Sequence, residues 1–390
     1  MDMEYSETHD YDVAVVGSGT AGLVAGLRAA ELGHSVAVLE KAPEERQGGH
    51  TRFSESFRVP SVGTDLEEYG YEFAVDDYTE EDFYDDIMHQ TSGKADEALT
   101  TTLVENAGDT VEWLTAAGVD WQMEPLAVGY TAARTWFDGE EYVETLTAAA
   151  EDAGADFWFE TQAAALHRAP TGEIDGIGAR TPDGQVEFDV DAVILAAGDY
   201  GSNDEKRVRY YGPGYDEMNV LGSRYNTGEA LMMAESAGAN LVGQWGGAHM
   251  ALIDAASPDV EGGANRVDGY QYGVILNDDG ERFVDEGEDA RAHTYAKFGR
   301  KIFEQPNHVA TSFSTRRPTT WCGRPVRPTR FGPTTSRNCS RKSAVATPKP
   351  EPRRFERSTA RVTPTSSNRT CWTATTRTAW RSKSRTGRFR

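Results

Sequence analysis

The sequence predicts an α/β fold with a mainly parallel sheet, and three observations support this prediction. The run from Tyr11 to Val16 is rich in Val and Ala, as expected of a buried strand. A glycine-rich loop follows at once, and the segment from Thr20 to Leu32 then has the Ala and Leu content and the spacing of a helix. A second apolar strand, Ser35 to Leu39, closes a βαβ unit.

The loop between the first strand and the helix reads Gly17-x-Gly19-x-x-Gly22. Gly17 permits a tight turn, Gly19 lets the backbone approach a pyrophosphate, and Gly22 lets the helix pack closely on the strand. The N-terminus of the helix faces the phosphate charge. Glu40, about 20 residues past the loop, is placed to accept hydrogen bonds from ribose hydroxyls. Together these features predict a dinucleotide-binding site.

The sequence beyond this unit favours a flavin nucleotide over a nicotinamide one. Glu40-Lys41 is followed by GGHTRFSES, and residues 192–198 read AVILAAG, a strand that runs into a turn of small residues. A second turn that touches the same nucleotide suits a large flavin cofactor lying across the sheet.

Downstream of the first unit, the spacing of apolar residues predicts further elements. Helical spacing extends over 80–118 and 140–154, and short strands are expected at 163–167, 174–180, 186–188 and 192–196. From about residue 243 to 300 the composition becomes Gly-rich and mixed, which is consistent with a domain that caps the cofactor.

Five segments of the first 308 residues carry a family resemblance: VAVVGSGTAGLVAGLRAAELGHSVAVLEK, GGHTRFSESFR, VILAAGDYGSN, NTGEALMMAESAGA and DGERFVDEGEDARAHTYAKFGRKIFEQP. They resemble the FAD-dependent fumarate reductase and succinate dehydrogenase flavoprotein family, with its tricarballylate dehydrogenase-like branch as the nearest pattern. The resemblance implies a Rossmann-like FAD-binding domain at 1–242, without its C-terminal part, and an inserted α+β capping domain that starts at 243–308.

FAD is the cofactor that the resemblance implies, and its contacts carry over position by position. The residues implied to hold the pyrophosphate are Gly17, Ser18, Gly19, Ala21 and Gly22. Glu40 and Lys41 are implied to meet the adenosine ribose, and Ala163 to offer backbone groups to adenine. The residues implied to line the flavin, the phosphates and the ribose are Gly48, Gly49, His50, Thr51, Ala197, Gly198, Thr227, Gly228 and Glu229.

His50 stands where two family patterns differ. Reductases of the family often have Asn after the paired Gly, whereas succinate dehydrogenases have a His-Thr pair whose His is bonded covalently to the flavin. Since GGHT combines the two patterns, we expect His50 to contact the cofactor. Both a hydrogen-bonded and a covalently attached flavin fit this pattern.

Two residues of the capping region are candidates for chemistry by resemblance. His249, in GQWGGAHM, matches the His that binds a substrate carboxylate, and Arg291 most nearly matches the Arg that delivers or collects the proton. The alternatives are a packed, hydrogen-bonded His and an Arg in a surface ion pair. No metal ligands are assigned.

The implied reaction is hydride transfer between flavin N5 and a C–C bond of a di- or tricarboxylate, of the fumarate/succinate or tricarballylate type. It requires a small carboxylate substrate and an electron donor or acceptor of unknown identity. A ketosteroid-type dehydrogenase of the same superfamily is the alternative activity, and a substrate panel separates the two.

The charge of the chain divides sharply near residue 308. The sequence has 39 Lys and Arg and 63 Asp and Glu; residues 309–390 hold 20 and 2 of these, which leaves 19 and 61, a net charge of −42, for the first 308. Such self-repulsion is tolerated where molar salt screens it. We interpret this acidic part as adapted to a salt-rich cytoplasm; a merely soluble acidic protein is the alternative.

The basic segment 309–390 differs in amino-acid composition from the rest of the chain. It contains no Leu, Ile, Met or Asp and holds all three cysteines, Cys322, Cys339 and Cys371. A segment so poor in aliphatic residues cannot offset the entropy of ordering, so we expect a low-order tail. A reading-frame slip near residue 309 explains its composition, and an inactive truncated flavoprotein is therefore a further possibility.

Other classes of protein fit the sequence less well. A basic arm for nucleic acid is the alternative role for the tail, and we do not favour it. The acidic N-terminus is unlike a secretory signal, and no apolar run of about 18 residues indicates a transmembrane segment. We expect a cytoplasmic protein.

Overall fold

A six-stranded sheet organises the structure, and the glycine loop leaves its first strand. The computed structural model describes residues 5–61, 77–121, 134–261, 266–267, 269–289, 291–314 and 375–379. The strands are β1 (Glu7–Val16), β2 (Val36–Leu39), β3 (Ser56–Arg58), β4 (Arg134–Trp136), β5 (Ala155–Trp158), β6 (Gln162–Arg168), β7 (Ile174–Thr181), β8 (Gly184–Leu195), β9 (Gly273–Leu276), β10 (Val309–Ser314) and β11 (Thr375–Ala379). The helices are α1 (Thr20–Glu31), α2 (Glu80–Gln90), α3 (Glu97–Glu105), α4 (Ala107–Ala116), α5 (Gly139–Asp152), α6 (Asp204–Tyr211), α7 (Glu229–Ser236) and α8 (Arg291–Phe303).

The main sheet has the strand order β5-β2-β1-β8-β7-β6. The first four strands are parallel to one another, whereas β7 pairs antiparallel with both β8 and β6. The two remaining sheets are the antiparallel pair of β3 and β4 and the three strands β11-β10-β9. The predicted α/β class with a mainly parallel sheet is confirmed.

The stretches predicted as separate strands at 186–188 and 192–196 belong to one strand, β8. This part of the prediction was wrong because β1 begins at Glu7 rather than at Tyr11 and pairs with β8 from Val186 to Leu195. A partner of that length keeps the exposed Asp189 and Asp191 within the strand although they interrupt its apolar pattern.

Helices cover both faces of the sheet. On one face α1 and α5 pack against it, and Leu23, Leu27 and Leu146 belong to a shared buried core. On the other face α7 contributes Ala230 and Met233 to a second core. Because both faces are covered, β1 and β2 end in fully or almost fully buried runs, as expected of central parallel strands.

The segment with predicted helical spacing at 80–118 forms three helices. α2 begins with a capping box, in which Thr79 Oγ1 accepts from the Asp82 N–H (3.1 Å) and the Asp82 carboxylate accepts from the Thr79 N–H (2.9 Å). It ends before Ser92, whose φ of 55° lies in the left-handed region. α3 and α4 then meet at Asn106.

The capping region has its own apolar core around α8. Phe298 and Ile302 of α8 pack with Ile275 of β9 and with Ala310 of β10. Our boundary at residue 309 was therefore set too early for local structure, because Ala310 is fully buried and β10 pairs with β9 up to Ser314. The division between FAD-binding and capping domains at residue 243 stays a prediction.

Most of the predicted low-order tail, 315–374 and 380–390, lies outside the described residues, as do its three cysteines. Within it, β11 pairs antiparallel with β10, from Val309 opposite Ala379 to Phe313 opposite Thr375. Over the ranges that the structure covers, no helix combines the length and apolarity needed to cross a membrane.

The interface of α5 with the sheet gives a test of the core. Leu146 is fully buried, so Leu146→Ala is expected to lower the free energy of unfolding by about 2–5 kcal/mol. Leu99→Ala is the matched control, because Leu99 is 72% exposed and its loss should change that energy by less than about 0.5 kcal/mol. Denaturant unfolding in molar salt measures both, and equal losses would contradict the described packing.

Candidate functional site

A cavity of about 610 Å³ opens where β1, β2 and β8 end and α1 begins. It is lined by most of the residues assigned to the cofactor, namely Gly17, Ser18, Gly19, Ala21, Glu40, Lys41, Gly49, His50, Thr51, Ala163, Ala197, Gly198 and Glu229. Three of the other four contact lining residues: Gly22 packs against Gly17, the Gly48 N–H donates to Ser18 Oγ, and Thr227 Oγ1 accepts from Lys41. Gly228 precedes Glu229 of the lining in the sequence. The structure thus brings most of the residues predicted to hold the cofactor to one cavity.

The three loop glycines have different surroundings. Gly17 has a φ of +98°, and a Cβ there would lie 2.8 Å from Ala196 O. A Cβ on Gly22 would lie 1.8 Å from Gly17 O, so no side chain fits. A Cβ on Gly19, by contrast, would meet protein only at 3.6 Å, from Thr51 Oγ1. Two glycines therefore serve packing, while Gly19 leaves space in the cavity for a ligand.

The start of α1 suits an anionic ligand. Its first turn carries no acidic side chain, and the N-terminus of a helix favours negative charge. Thr51 Oγ1 accepts from the Thr20 N–H (2.9 Å) and thereby ties the loop 48–51 to this helix end. A diphosphate group placed beside Gly19 would meet this helix end, so the residues present fit the cofactor.

Glu40 is the centre of a buried hydrogen-bond network. Its Oε2 accepts from both the backbone N–H (2.9 Å) and the hydroxyl (2.7 Å) of Ser18, and its Oε1 accepts from the Ala42 N–H (2.8 Å). Ser18 Oγ in turn accepts from the Gly48 N–H (3.1 Å). A carboxylate offers about four acceptor positions, so Glu40 keeps capacity at Oε1 for a ribose hydroxyl.

Lys41 joins the βαβ unit to the start of α7. Its Nζ donates to Thr227 Oγ1 and to Glu229 Oε2, the latter at 2.8 Å. Partial burial alone would raise the pKa of Glu229, but the hydrogen bonds from Lys41 and Thr227 outweigh it and hold that pKa below its ordinary value. The pair therefore remains charged at the rim of the cavity.

His50 is fixed in orientation by its neighbours. Its Nδ1 accepts from the Ser223 N–H (3.0 Å), so the neutral ring carries its proton on Nε2. A Cβ on Gly222 would lie 2.4 Å from the ring, so only glycine fits beneath it. Burial lowers the pKa of His50, and the Asp199 carboxylate opposes this effect only in part.

Asn226 and Asp199 are cavity residues that the sequence did not single out. Asn226 Nδ2 donates to Asp199 Oδ1, which also accepts from the Gly201 N–H (2.8 Å). Asn226 also fills the space beside Gly198, where a Cβ would lie 2.5 Å from Asn226 Oδ1. The motif NTGEALM contains Asn226, but only its next three residues were assigned to the cofactor.

The two candidates for chemistry meet at a third residue, Tyr295. The His249 ring lies against the Tyr295 ring in a T-shaped arrangement with 5.2 Å between centroids, and the Arg291 guanidinium lies 5.1 Å from the same ring centre. Arg291 is 4% exposed and therefore buried. His249 is exposed to solvent, and its pKa is lowered by partial desolvation and by the nearby Arg266.

Comparison with known proteins identifies the family. The model of the family described as "FAD binding domain" matches residues 12–313. The chain belongs to this family. The predicted cofactor, FAD, is thereby confirmed, whereas the contact of each named residue with FAD stays a prediction.

Relatives of this FAD-binding chain include a vinyl phenol reductase from Lactiplantibacillus plantarum, which is 29% identical over 76% of this chain and 60% of the relative. A urocanate reductase from Eggerthella lenta is 32% identical over 72% of this chain and 46% of the relative. The solved open conformation of a flavocytochrome c3 fumarate reductase is 26% identical, with a TM-score of 0.60 over 79% of this chain and 53% of that one.

These similarities place the FAD-binding chain in the fumarate reductase and succinate dehydrogenase flavoprotein family, as the sequence predicted. The tricarballylate dehydrogenase-like branch stays a prediction. The chain spans about half to three-fifths of the length of these relatives.

The glycine loop gives a test that separates packing from binding. Gly22→Ala is expected to lower the free energy of unfolding by about 3 kcal/mol or more, since its Cβ overlaps Gly17 O. Gly19→Ala should change it by only about 1 kcal/mol but weaken FAD binding about tenfold or more, equivalent to 1.4 kcal/mol. Denaturant unfolding and FAD titration measure the two effects; unimpaired FAD binding by Gly19→Ala would place the pyrophosphate elsewhere.

His50 predicts how stability depends on pH. Its pKa in the folded protein lies below the ordinary value of 6.5 that the unfolded chain regains. The unfolded state therefore binds more protons in that interval, and stability is lost as the pH falls below about 6.5. We expect His50→Asn to flatten this loss between about pH 7 and 5, whereas His34→Asn, which removes an exposed ring, is the control. Unfolding curves at several pH values check this, and a slope unchanged by His50→Asn would refute it.

Proposed function

We propose that this chain is the cofactor-binding part of a flavin oxidoreductase that acts on a C–C bond of a di- or tricarboxylate, of the fumarate/succinate or tricarballylate type. The observation that carries the proposal is that His249 and Arg291 both contact the Tyr295 ring. The capping region thereby gathers two groups that can bind carboxylates, in a chain whose FAD-binding family is established.

In the proposed site, His249 binds a carboxylate of the substrate. Because its pKa is lowered, the free ring is neutral near pH 7 and takes up a proton as the anion binds. Holding the carboxylate orients the reacting carbon.

Arg291 has the proposed role of holding or delivering the proton at the neighbouring carbon. Its guanidinium lies over the Tyr295 face, an arrangement that stabilises a cation. The bound flavin supplies the hydride chemistry, and Gly19, Ser18, Glu40 and Lys41 are proposed to hold its nucleotide part.

The relatives support a reductase in particular, since their names describe reduction of vinyl phenol, urocanate and fumarate. These substrates differ, so the choice of a di- or tricarboxylate rests on His249, Arg291 and the family resemblance. An electron donor or acceptor is a required partner. We also propose a salt-rich cytoplasm as its location, from the net charge, and no nucleic-acid partner.

The first experiment is the visible spectrum of the full chain purified in molar salt, followed by acid precipitation. A flavin spectrum is expected, and colour left in the precipitate would identify covalent attachment with His50 as the residue to test. Dye-linked turnover of fumarate, succinate, tricarballylate and a 3-ketosteroid then tests the reaction. Turnover of the steroid alone would overturn the proposal, and bound flavin without any turnover would support the inactive, truncated alternative.

His249 gives the matching substitution test. His249→Gln removes a hydrogen bond to a charged group, and we expect KM for the carboxylate to rise about 10- to 100-fold with a smaller change in kcat. Arg28→Gln, on the exposed face of α1, is the control. An unchanged KM in His249→Gln would remove this residue from the substrate site.

A further inference from the structure

Arg266 lies beside His249 in the capping region, although no sequence motif pointed to it. Its backbone forms an antiparallel bridge with Ile253, four residues after His249, and the Val267 N–H donates to Leu252 O (2.8 Å). The position of Arg266 relative to the segment that carries His249 is therefore set by backbone hydrogen bonding.

The side chain of Arg266 pairs with a residue that follows the cavity lining in the sequence. Its Nη2 lies 2.8 Å from Glu55 Oε1, and Glu55 follows, by four residues, Thr51 of the cavity lining. One side chain thus connects the segment of His249 with the segment that leaves the cavity.

The chemistry of Arg266 suits an anion. Its side chain is 27% exposed, so a solute can reach it, and a guanidinium presents five N–H donors in a planar fork that matches a carboxylate. The contact with Glu55 holds the fork in place. Among the described residues, the Tyr295 ring packs against His249 and the charge of Arg266 acts on it, while Arg291 lies on the Tyr295 ring and Glu55 pairs with Arg266.

We propose that Arg266 is a further substrate-binding residue, which holds one carboxylate of the substrate together with His249. The inference rests on the proposed function only in taking a carboxylate as the ligand. A charge at this position favours substrates with more than one carboxylate, because His249, Arg266 and Arg291 come from three separate segments and can engage different groups.

Binding of succinate to the full chain in its flavin-containing form tests the inference. Isothermal titration is expected to show succinate affinity weakened about 10- to 100-fold in Arg266→Gln, because a charge-assisted hydrogen bond is lost. Arg266→Lys keeps the charge without the planar fork. Its succinate affinity should therefore lie between those of the wild type and Arg266→Gln. Arg28→Gln removes an Arg that is likewise paired with a Glu at 2.8 Å, on α1, and should leave the affinity within about twofold.

A second readout tests whether Arg266 and His249 are neighbours. The His249 ring proton, assigned in NMR spectra with His249→Gln, should titrate with a higher pKa in Arg266→Gln, because a neighbouring positive charge is removed. An unchanged pKa would contradict the shared site, whereas the loss of succinate affinity in Arg266→Gln decides whether Arg266 binds the substrate.

The outcomes are distinguishable from those of the proposed function. Succinate binding that depends on Arg266 supports the inference even where no turnover is found. Equal affinities in the wild type and Arg266→Gln, or a wild type that binds neither succinate nor tricarballylate, would overturn it. If Arg266→Gln fails to fold, Arg266→Lys decides: full affinity of that variant would refute a role for the planar fork.

Discussion

The buried carboxylate of Glu40 is the constraint on which the cavity depends. Three donors from Ser18 and Ala42 converge on it, and Ser18 carries the network onward to Gly48. The glycine loop, the end of β2 and the loop 48–51 therefore have fixed relative positions. Burying a carboxylate is costly unless its oxygens are hydrogen-bonded, so the loss of any donor destabilises the arrangement of the three segments.

The sequence predicted the cavity well and its supporting contacts poorly, for a physical reason. Gly17, Gly19 and Gly22 carry a local signal, because backbone geometry at a tight turn leaves few alternatives to glycine. The pairing of Asn226 with Asp199, and the position of Tyr295 between His249 and Arg291, arise between segments far apart in sequence. Such contacts have no local pattern, so only the folded chain reveals them.

The same reasoning explains the errors in element bounds. β8 was divided because Asp189 and Asp191 break its apolar pattern, and pairing with β1 along its length overrides that pattern. β10 was assigned to the tail because composition changes near Val309, whereas one buried alanine, Ala310, joins the core of the capping region. Composition averages over many residues and cannot locate a boundary to within one strand.

Basic residues are scarce in the acidic part of the chain, so the ion pairs that they form are informative about its structure. Only 19 Lys and Arg stand among the first 308 residues, yet Arg46 and Arg224 both bind Glu261, and Arg266 binds Glu55. Each of these pairs links the capping region to segments next to the cavity. The side chains of Arg46 and Arg224 are 46% and 53% exposed, against 27% for Arg266. The carboxylate partners have the reverse order, with Glu261 22% exposed and Glu55 41% exposed. Since salt screens exposed charges most, each link combines one strongly screened charge with one that is screened less.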